Sequence, residues 1–279
     1  MREIAAADIV AAVSRLAIEA NTVLGDDVLA ALRHALQAEE AEAGRRVILQ
    51  FLENARIARE GGLSLCQDAG FALVFAQIGQ DVRVCGGDFS EAINEGVRRG
   101  YREGYLRASI CDPVSRRNTG DNTPAVIHTE IVSGRALKLT FVAKGGGSEN
   151  MSRVTMLPPA AGLAGVEDYV VRRVQESGAN PCPPTIVGVG LGGTLERCAL
   201  LAKKALLREV GAPNLDPRLA QLEGRMLERI NRLGIGPQGL GGRITSLAVH
   251  VEMMPCHIAS LPVAVNIQCH SARHKTAVL

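Results

Sequence analysis

The residues best suited to chemistry in this chain are cysteines set in polar loops. There are seven, Cys66, Cys85, Cys111, Cys182, Cys198, Cys256 and Cys269. The number is odd and no two stand in a C-x2-C or C-x4-C spacing, which excludes a zinc ribbon or a ferredoxin-type run. Any metal site therefore has to be assembled from distant segments. Four polar loops end apolar stretches: "LCQDAGF", "KGGGSEN", "NPCPP" and "IQCHSARH". Three of them carry a cysteine, and open sheets place their ligands beyond strand ends. The cysteines are thus candidates for convergence.

In "SLCQDAGF" Cys66 stands two residues before Asp68, in a turn closed by Gly70. A thiolate beside a carboxylate is costly by charge repulsion unless a cation offsets both. The pair reads either as a metal ligand next to an acid/base carboxylate or as a surface turn with an incidental cysteine. In "NPCPP", Pro181 and Pro183 flank Cys182, fix φ at two positions and remove two N–H donors. Such a loop costs less entropy to order around a ligand, although a proline-rich turn around a packing cysteine reads the same way. Cys256, His257, Cys269 and His274 have the residue types of a zinc site. They lie at opposite ends of "CHIASLPVAVNIQC", and about 12 extended residues at ~3.3 Å each would hold the pairs roughly 40 Å apart. Cys198, on the apolar face of "LERCALLAKKALL", reads as a packing residue, as do Cys85 and Cys111.

"GVGLGG" (188–193) formally satisfies G-x-G-x-x-G between a strand and a helix. A dinucleotide fingerprint also needs an acidic residue after a second strand about 20 residues on, where this chain has "EVGAPNLDP" instead. Close packing of strand and helix, or helix N–H groups open to an anion, explains the glycines better. The three glycines of "KGGGSEN" suit close backbone approach to a small substrate. Arg107, Arg116, Arg117 and Lys144 lie near these loops in sequence and offer forks for carboxylates.

The elements that must position these loops follow from periodicity. Ile9, Val10, Val13, Leu16 and Ala17 recur at helical spacing. A second helix runs through "VLAALRHALQ" from Asp26 or Asp27, and a third ends at Gly61-Gly62. "FALVFAQIG" (71–79) is a strand, followed by an amphipathic helix with Asp88 nearby as cap. "PAVIHTEIV" and "ALKLTFVAK" alternate around Ser133-Gly134 and predict a hairpin. Helices are expected over "GVEDYVVRRVQES", over "TLERCALLAKKALL" with Thr194 as N-cap, and over 217–232. Strands are expected at "PTIVGVG", "TSLAVHVEM" and "LPVAVNIQ". The result is an α+β or mixed α/β body: one domain over 1–279, with a helical part over 1–60 and a site-bearing part over 61–279.

The remaining bounds come from composition. An apolar fraction of 47%, with 22% charged residues, belongs to a soluble globular protein with a sizeable core. The net charge of +2 argues against a nucleic-acid partner. "MREIAAADIV" places Arg2, Glu3 and Asp8 where a signal peptide needs an apolar run. The longest uncharged stretch, 177–195, is broken by prolines and glycines, so no membrane association is expected. A cytoplasmic location with reduced thiols follows.

Taken together, "LCQDAG", "RRNTGDNTPAVIH", "AKGGGSEN", "NPCPPTIVGVGLGGT", "GPQGLGG" and "PCHIASLPVAVNIQCHSARH" resemble the α subunit of the two-subunit iron–sulfur hydro-lyases, the class I fumarate hydratases and L-tartrate dehydratases. The similarity runs in order from Cys66 to His274. It implies a [4Fe–4S] cluster on Cys66, Cys182 and Cys269, with one iron lacking a protein ligand and able to act as a Lewis acid on a substrate hydroxyl. It implies Asp68 as the acid/base group. It also implies that Gln67, Arg107, His257 and a backbone N–H of the Gly145–Gly147 run, taken as Gly146, hold a small dicarboxylate. The family's usual "CQDTG" is "CQDAG" here, so Ala69 lacks a hydroxyl. Single-chain relatives continue into a second catalytic domain, and this sequence stops at Leu279. A separate β subunit is therefore expected, in a heterotetramer or on a homo-oligomer of α. The expected reaction is hydration of fumarate to (S)-malate, with L-tartrate dehydration as the alternative. A cluster-bearing scaffold without catalysis would share the cysteines but has no need of Asp68.

Overall fold

The computed structural model describes all 279 residues. In chain order the elements are β1 (Arg2–Ala5), α1 (Ala6–Thr22), α2 (Asp26–Ala38), α3 (Glu42–Gly61), β2 (Phe71–Gly79), β3 (Val82–Cys85), α4 (Phe89–Glu103), β4 (Val126–Val132), β5 (Leu137–Lys144) and α5 (Gly146–Asn150). There follow β6 (Arg153–Leu157), α6 (Gly162–Ser177), β7 (Thr185–Gly192), α7 (Leu195–Ala205), α8 (Pro217–Asn231), β8 (Ser246–Met254), β9 (Leu261–Gln268) and β10 (His274–Val278). This is the mixed α/β architecture expected from the sequence. No helix is long and apolar enough to cross a membrane.

The chain divides into two compact units built from interleaved segments. The first comprises Met1–Gly25, Asn54–Gly146 and Arg273–Leu279. The second comprises Asp26–Glu53 and Gly147–Ala272.

The first unit holds a four-stranded sheet in the order β10-β5-β2-β4 and a small parallel pair, β1-β3. The expected hairpin between β4 and β5 does not form, although both strands do. β2 lies between them, parallel to β4 and antiparallel to β5. The reason is burial. β2 and β5 are almost continuously buried, whereas β4 alternates between exposed and half-buried residues and takes an edge. The apolar stripe of α1 (Ile9, Val13, Leu16, Ala17) packs with Ile93 and Val97 of α4 and with Val74, Leu139 and Phe141 of the sheet. Removing such side chains from water stabilises the unit by about 1.5–3 kcal/mol each. Asp68, Gly146 and Arg273 stand just before β2, just after β5 and just before β10. Register pairs Phe71 with Lys144 and His274 with Val142, so all three lie at one end of this sheet.

The second unit holds a sheet in the order β6-β9-β7-β8, covered on both faces. Val187, Val189 and Leu191 of β7 meet α6 and α8 through Val170, Val174, Leu222 and Met226. The opposite face meets α7. There a Cβ on Gly188 would lie 2.1 Å from Ala202 O, and one on Gly190 would lie 2.0 Å from Cys198 O. The "GVGLGG" glycines are thus the surface on which a helix sits directly against a strand, as their close-packing reading requires. Cys198 is fully buried there, with Sγ 3.2 Å from Gly190 O.

Candidate active site

In the first unit the Leu65–Gly70 loop is held nearly atom by atom. Leu65 N–H donates to Asn21 O at 2.7 Å, and Leu65 O accepts from Asn54 Nδ2 at 2.9 Å. The carbonyls of Asp68, Ala69 and Gly70 are taken by buried side chains. Arg273 Nη1 donates to Asp68 O at 2.6 Å. The Tyr101 hydroxyl lies 2.8 Å from Ala69 O and 3.1 Å from Gly70 O. Asn122 Nδ2 donates to Gly70 O at 3.1 Å, while its Oδ1 accepts from Ser109 N at 2.7 Å. Gly70 can only be glycine. Its φ is +76°, and a Cβ would come within 2.7 Å of the Lys144 main chain.

This scaffold presents Asp68. Its Oδ1 accepts from Gly70 N at 2.9 Å and its Oδ2 from Gly146 N at 2.8 Å. The carboxylate is half-buried and retains acceptor positions for a further partner. Cys66 is also half-buried, with Sγ 3.7 Å from the Oε1 of the exposed Gln67. Burial pushes the Tyr101 hydroxyl well above its ordinary pKa, and the charges of Arg273 and Asp68 act on it in opposite directions. It therefore stays a neutral donor. Arg107 is exposed beyond α4, as are Arg116 and Arg117. Lys144 is 1% exposed, so its ammonium is not a surface fork.

In the second unit Cys182 and Cys269 are brought together. Cys182 O accepts from His270 N at 3.4 Å and lies 3.1 Å from His270 Nδ1, and the His270 ring stacks on Phe51 at 3.6 Å. Cys182 is exposed and adopts φ +55°, a left-handed conformation that costs a non-glycine residue about 1–3 kcal/mol. Its N–H donates to Ala179 O at 3.0 Å, and Pro183 O accepts from Gln238 N at 2.8 Å. The "GPQGLGG" segment thus buttresses the "NPCPP" loop. That segment leads into a buried clasp, in which Glu39, 2% exposed, accepts from Ala41 N, Arg243 N and Ile244 N. Burial opposes the Glu39 charge, but these N–H bonds outweigh it and leave the carboxyl below its usual pKa. Cys269 is half-buried, with Sγ 3.5 Å from Ser271 O. The neighbouring Gln268 Oε1 and Ser271 Oγ are buried without a partner.

His257 stands elsewhere. It lies in the exposed turn between β8 and β9, where its Nδ1 accepts from Ala259 N at 3.1 Å. Since β9 runs antiparallel to β7, this turn and the Cys182–Cys269 pair occupy opposite ends of the sheet. The eight residues of β9 span roughly 26 Å. The length of β9 therefore keeps Cys256 and His257 away from Cys269, as the extended spacing in the sequence implies.

The sequence reading gave no role to Asn21, Tyr101, Asn122 or Arg273. Asn122 and Arg273 do lie inside the "RRNTGDNTPAVIH" and "CHSARH" motifs. Tyr101 is one aromatic among many positions on an amphipathic helix and carried no signal.

The site residues are thus a carboxylate held through both oxygens beside one cysteine and, in the second unit, two more cysteines linked through His270 at a sheet end. The chain belongs to the fumarate hydratase (fumerase) family, whose model matches residues 10–278, and it is a hydro-lyase of the class I type. It is 41% identical over 261 residues to a Methanocaldococcus jannaschii protein provisionally named L(+)-tartrate dehydratase subunit alpha, covering 91% of this chain and 92% of that one. It is 31% identical over 263 residues to the L(+)-tartrate dehydratase subunit alpha of Escherichia coli O157:H7, covering 93% and 86%. The same identity and length relate it to that subunit in Escherichia coli K12.

Proposed function

We propose that this chain is the α subunit of a two-subunit hydro-lyase that removes water from L(+)-tartrate, using a [4Fe–4S] cluster on Cys66, Cys182 and Cys269. The observation that carries the reading is Asp68, held through both carboxylate oxygens beside a cysteine, in a loop whose main chain is bonded by the buried Arg273. The sequence expectation put fumarate first. The named relatives reverse that order, and fumarate, which the family description names, becomes the second reading.

The donor set fits such a cluster. None of the seven cysteines is in a disulfide, and thiolates are the donors that iron–sulfur clusters take. The strained backbone of Cys182 turns an exposed thiol outward, and Cys269 is flanked by buried polar atoms that lack partners. Cys198 is excluded, because burial pushes its thiol up to about 11. When bound, the cluster supplies a Lewis-acidic iron that helps a hydroxyl leave.

The chain's own residues bind and move protons. Asp68 holds or delivers the proton exchanged with the substrate hydroxyl or its neighbouring carbon. Gln67 and Arg107, both exposed, offer an amide and a fork to the substrate carboxylates. The Gly146 N–H is already donated to Asp68, so a substrate carboxylate there would share or displace that bond. His257 lies at the far end of its sheet, and the reading stands without it. A β subunit supplies the remaining substrate contacts.

The test is iron and acid-labile sulfide per chain on protein purified without oxygen, followed by assays with the partner chain on tartrate and on fumarate. About four of each per chain and faster turnover of tartrate are expected. Protein that carries zinc or no metal under those conditions would sink the cluster. Faster turnover of fumarate would restore the second reading.

A further inference from the structure

One buried charge has no part in the reading above. Arg273 is 2% exposed, yet its guanidinium bonds only to neutral groups. Nη1 donates to Asp68 O at 2.6 Å and to Asn21 Oδ1 at 3.0 Å, and Nε is buried with no acceptor. Holding a carbonyl does not require a charge, because the neutral Tyr101 and Asn122 hold the carbonyls of the next two residues. A desolvated guanidinium is costly unless an opposite charge lies near. The Asp68 carboxylate is such a charge, since it belongs to the residue whose carbonyl Nη1 holds at 2.6 Å. Arg273 is itself pinned, because its carbonyl accepts from Ala143 N at 2.9 Å just before β10 begins.

We propose that Arg273 is the positioning residue of Asp68, holding its main chain from behind and balancing its charge so that the loop presents the carboxylate in one orientation. The inference rests on the reading of Asp68 as the acid/base group. A double-mutant cycle on the holoenzyme, assembled with its partner chain, tests it. Arg273→Lys, which keeps the charge and loses the fork, should lower kcat by about 10–100-fold with KM changed less than about threefold. Arg273→Met should lose more. In an Asp68→Asn background Arg273→Lys should have no further effect, because the two act as one unit. An equal fold-loss in both backgrounds would overturn the proposal, as would wild-type kcat in folded Arg273→Lys and Arg273→Met proteins. Wild-type turnover in Asp68→Asn alone would instead remove the reading of Asp68, a different edge of the same cycle. Should the Arg273 variants not fold, Asn21→Ala removes one anchor of Nη1 and should give a smaller kcat loss in the same direction. Unchanged kcat there would count against the proposal.

Discussion

Each unit ends a four-stranded sheet in a loop that carries a cysteine, and the two loops are held by opposite means. Around Asp68 three successive carbonyls are taken by the side chains of Arg273, Tyr101 and Asn122, drawn from three distant segments. Around Cys182 the bonds run almost wholly between main-chain groups, from Cys182 N to Ala179 O, His270 N to Cys182 O and Gln238 N to Pro183 O. The difference follows from what each loop presents. Under the proposed function Asp68 exchanges a proton and must point in one direction, and buried side chains enforce that because each broken bond leaves an unsatisfied group. Under the proposed function Cys182 is a ligand thiol, which needs only its Cα–Cβ direction, and its backbone sits at a left-handed φ of +55°.

The comparison breaks most visibly at the two chemical residues. Asp68→Asn should lower turnover by ~10²–10⁴-fold while iron content is kept. Cys182→Ser should lose iron and turnover together, and Cys198→Ser should lose neither. Iron analysis beside rate measurement separates the three, and full iron in Cys182→Ser would remove it from the ligand set.

Next come the glycines on which each unit closes. Gly70→Ala forces a Cβ to 2.7 Å from the Lys144 main chain at φ +76° and should cost ~2–4 kcal/mol. Gly190→Ala meets Cys198 O at 2.0 Å and should disturb the α7–β7 contact at least as much. Urea unfolding reads both, and unchanged midpoints would show that the backbone gives way cheaply.

Glu39 sharpens the contrast through pH. Its carboxyl titrates below its unfolded value, so its contribution is present above about pH 4.5 and is lost as pH falls through the folded pKa. Glu39→Gln should cost about 2 kcal/mol at neutral pH and flatten the acid side of the stability curve. Equal acid sensitivity in wild type and variant would remove Glu39 as the cause. The smallest effect is kinetic. In metal-free protein, alkylation at pH 8 should label the exposed Cys182 at least ~10-fold faster than the buried Cys198, whose thiol titrates at about 11. Equal rates would mean that α7 opens readily.

Much of the fold was legible because helix and strand periodicity is local. The span 71–79 reads as a strand and forms β2, the third helix stops at Gly61, and Asp88 caps α4 through Glu91 N at 2.8 Å. Thr194 marks the start of α7, but its hydroxyl bonds Glu196 rather than a helix N–H, so the position was legible and the capping bond was not. Strand neighbours were not legible either. Alternation reports which face of a strand is buried and says nothing of its partner, which is why β4 and β5 read as a hairpin until β2 is seen between them.

By itself, then, the sequence determined which residues are candidates for chemistry: the cysteines in polar loops and Asp68 beside Cys66, together with the glycines that mark close approach. Those are properties of residue type and short spacing, written within a few positions of one another. Only the tertiary structure decided what supports them. It showed that Arg273, 205 positions from Asp68, holds its carbonyl, that His270 carries Cys269 to Cys182, and that His257 lies at the other end of its sheet. A hydrogen bond depends on distance in space, and burial of the apolar faces sets that distance once the strands have chosen their order.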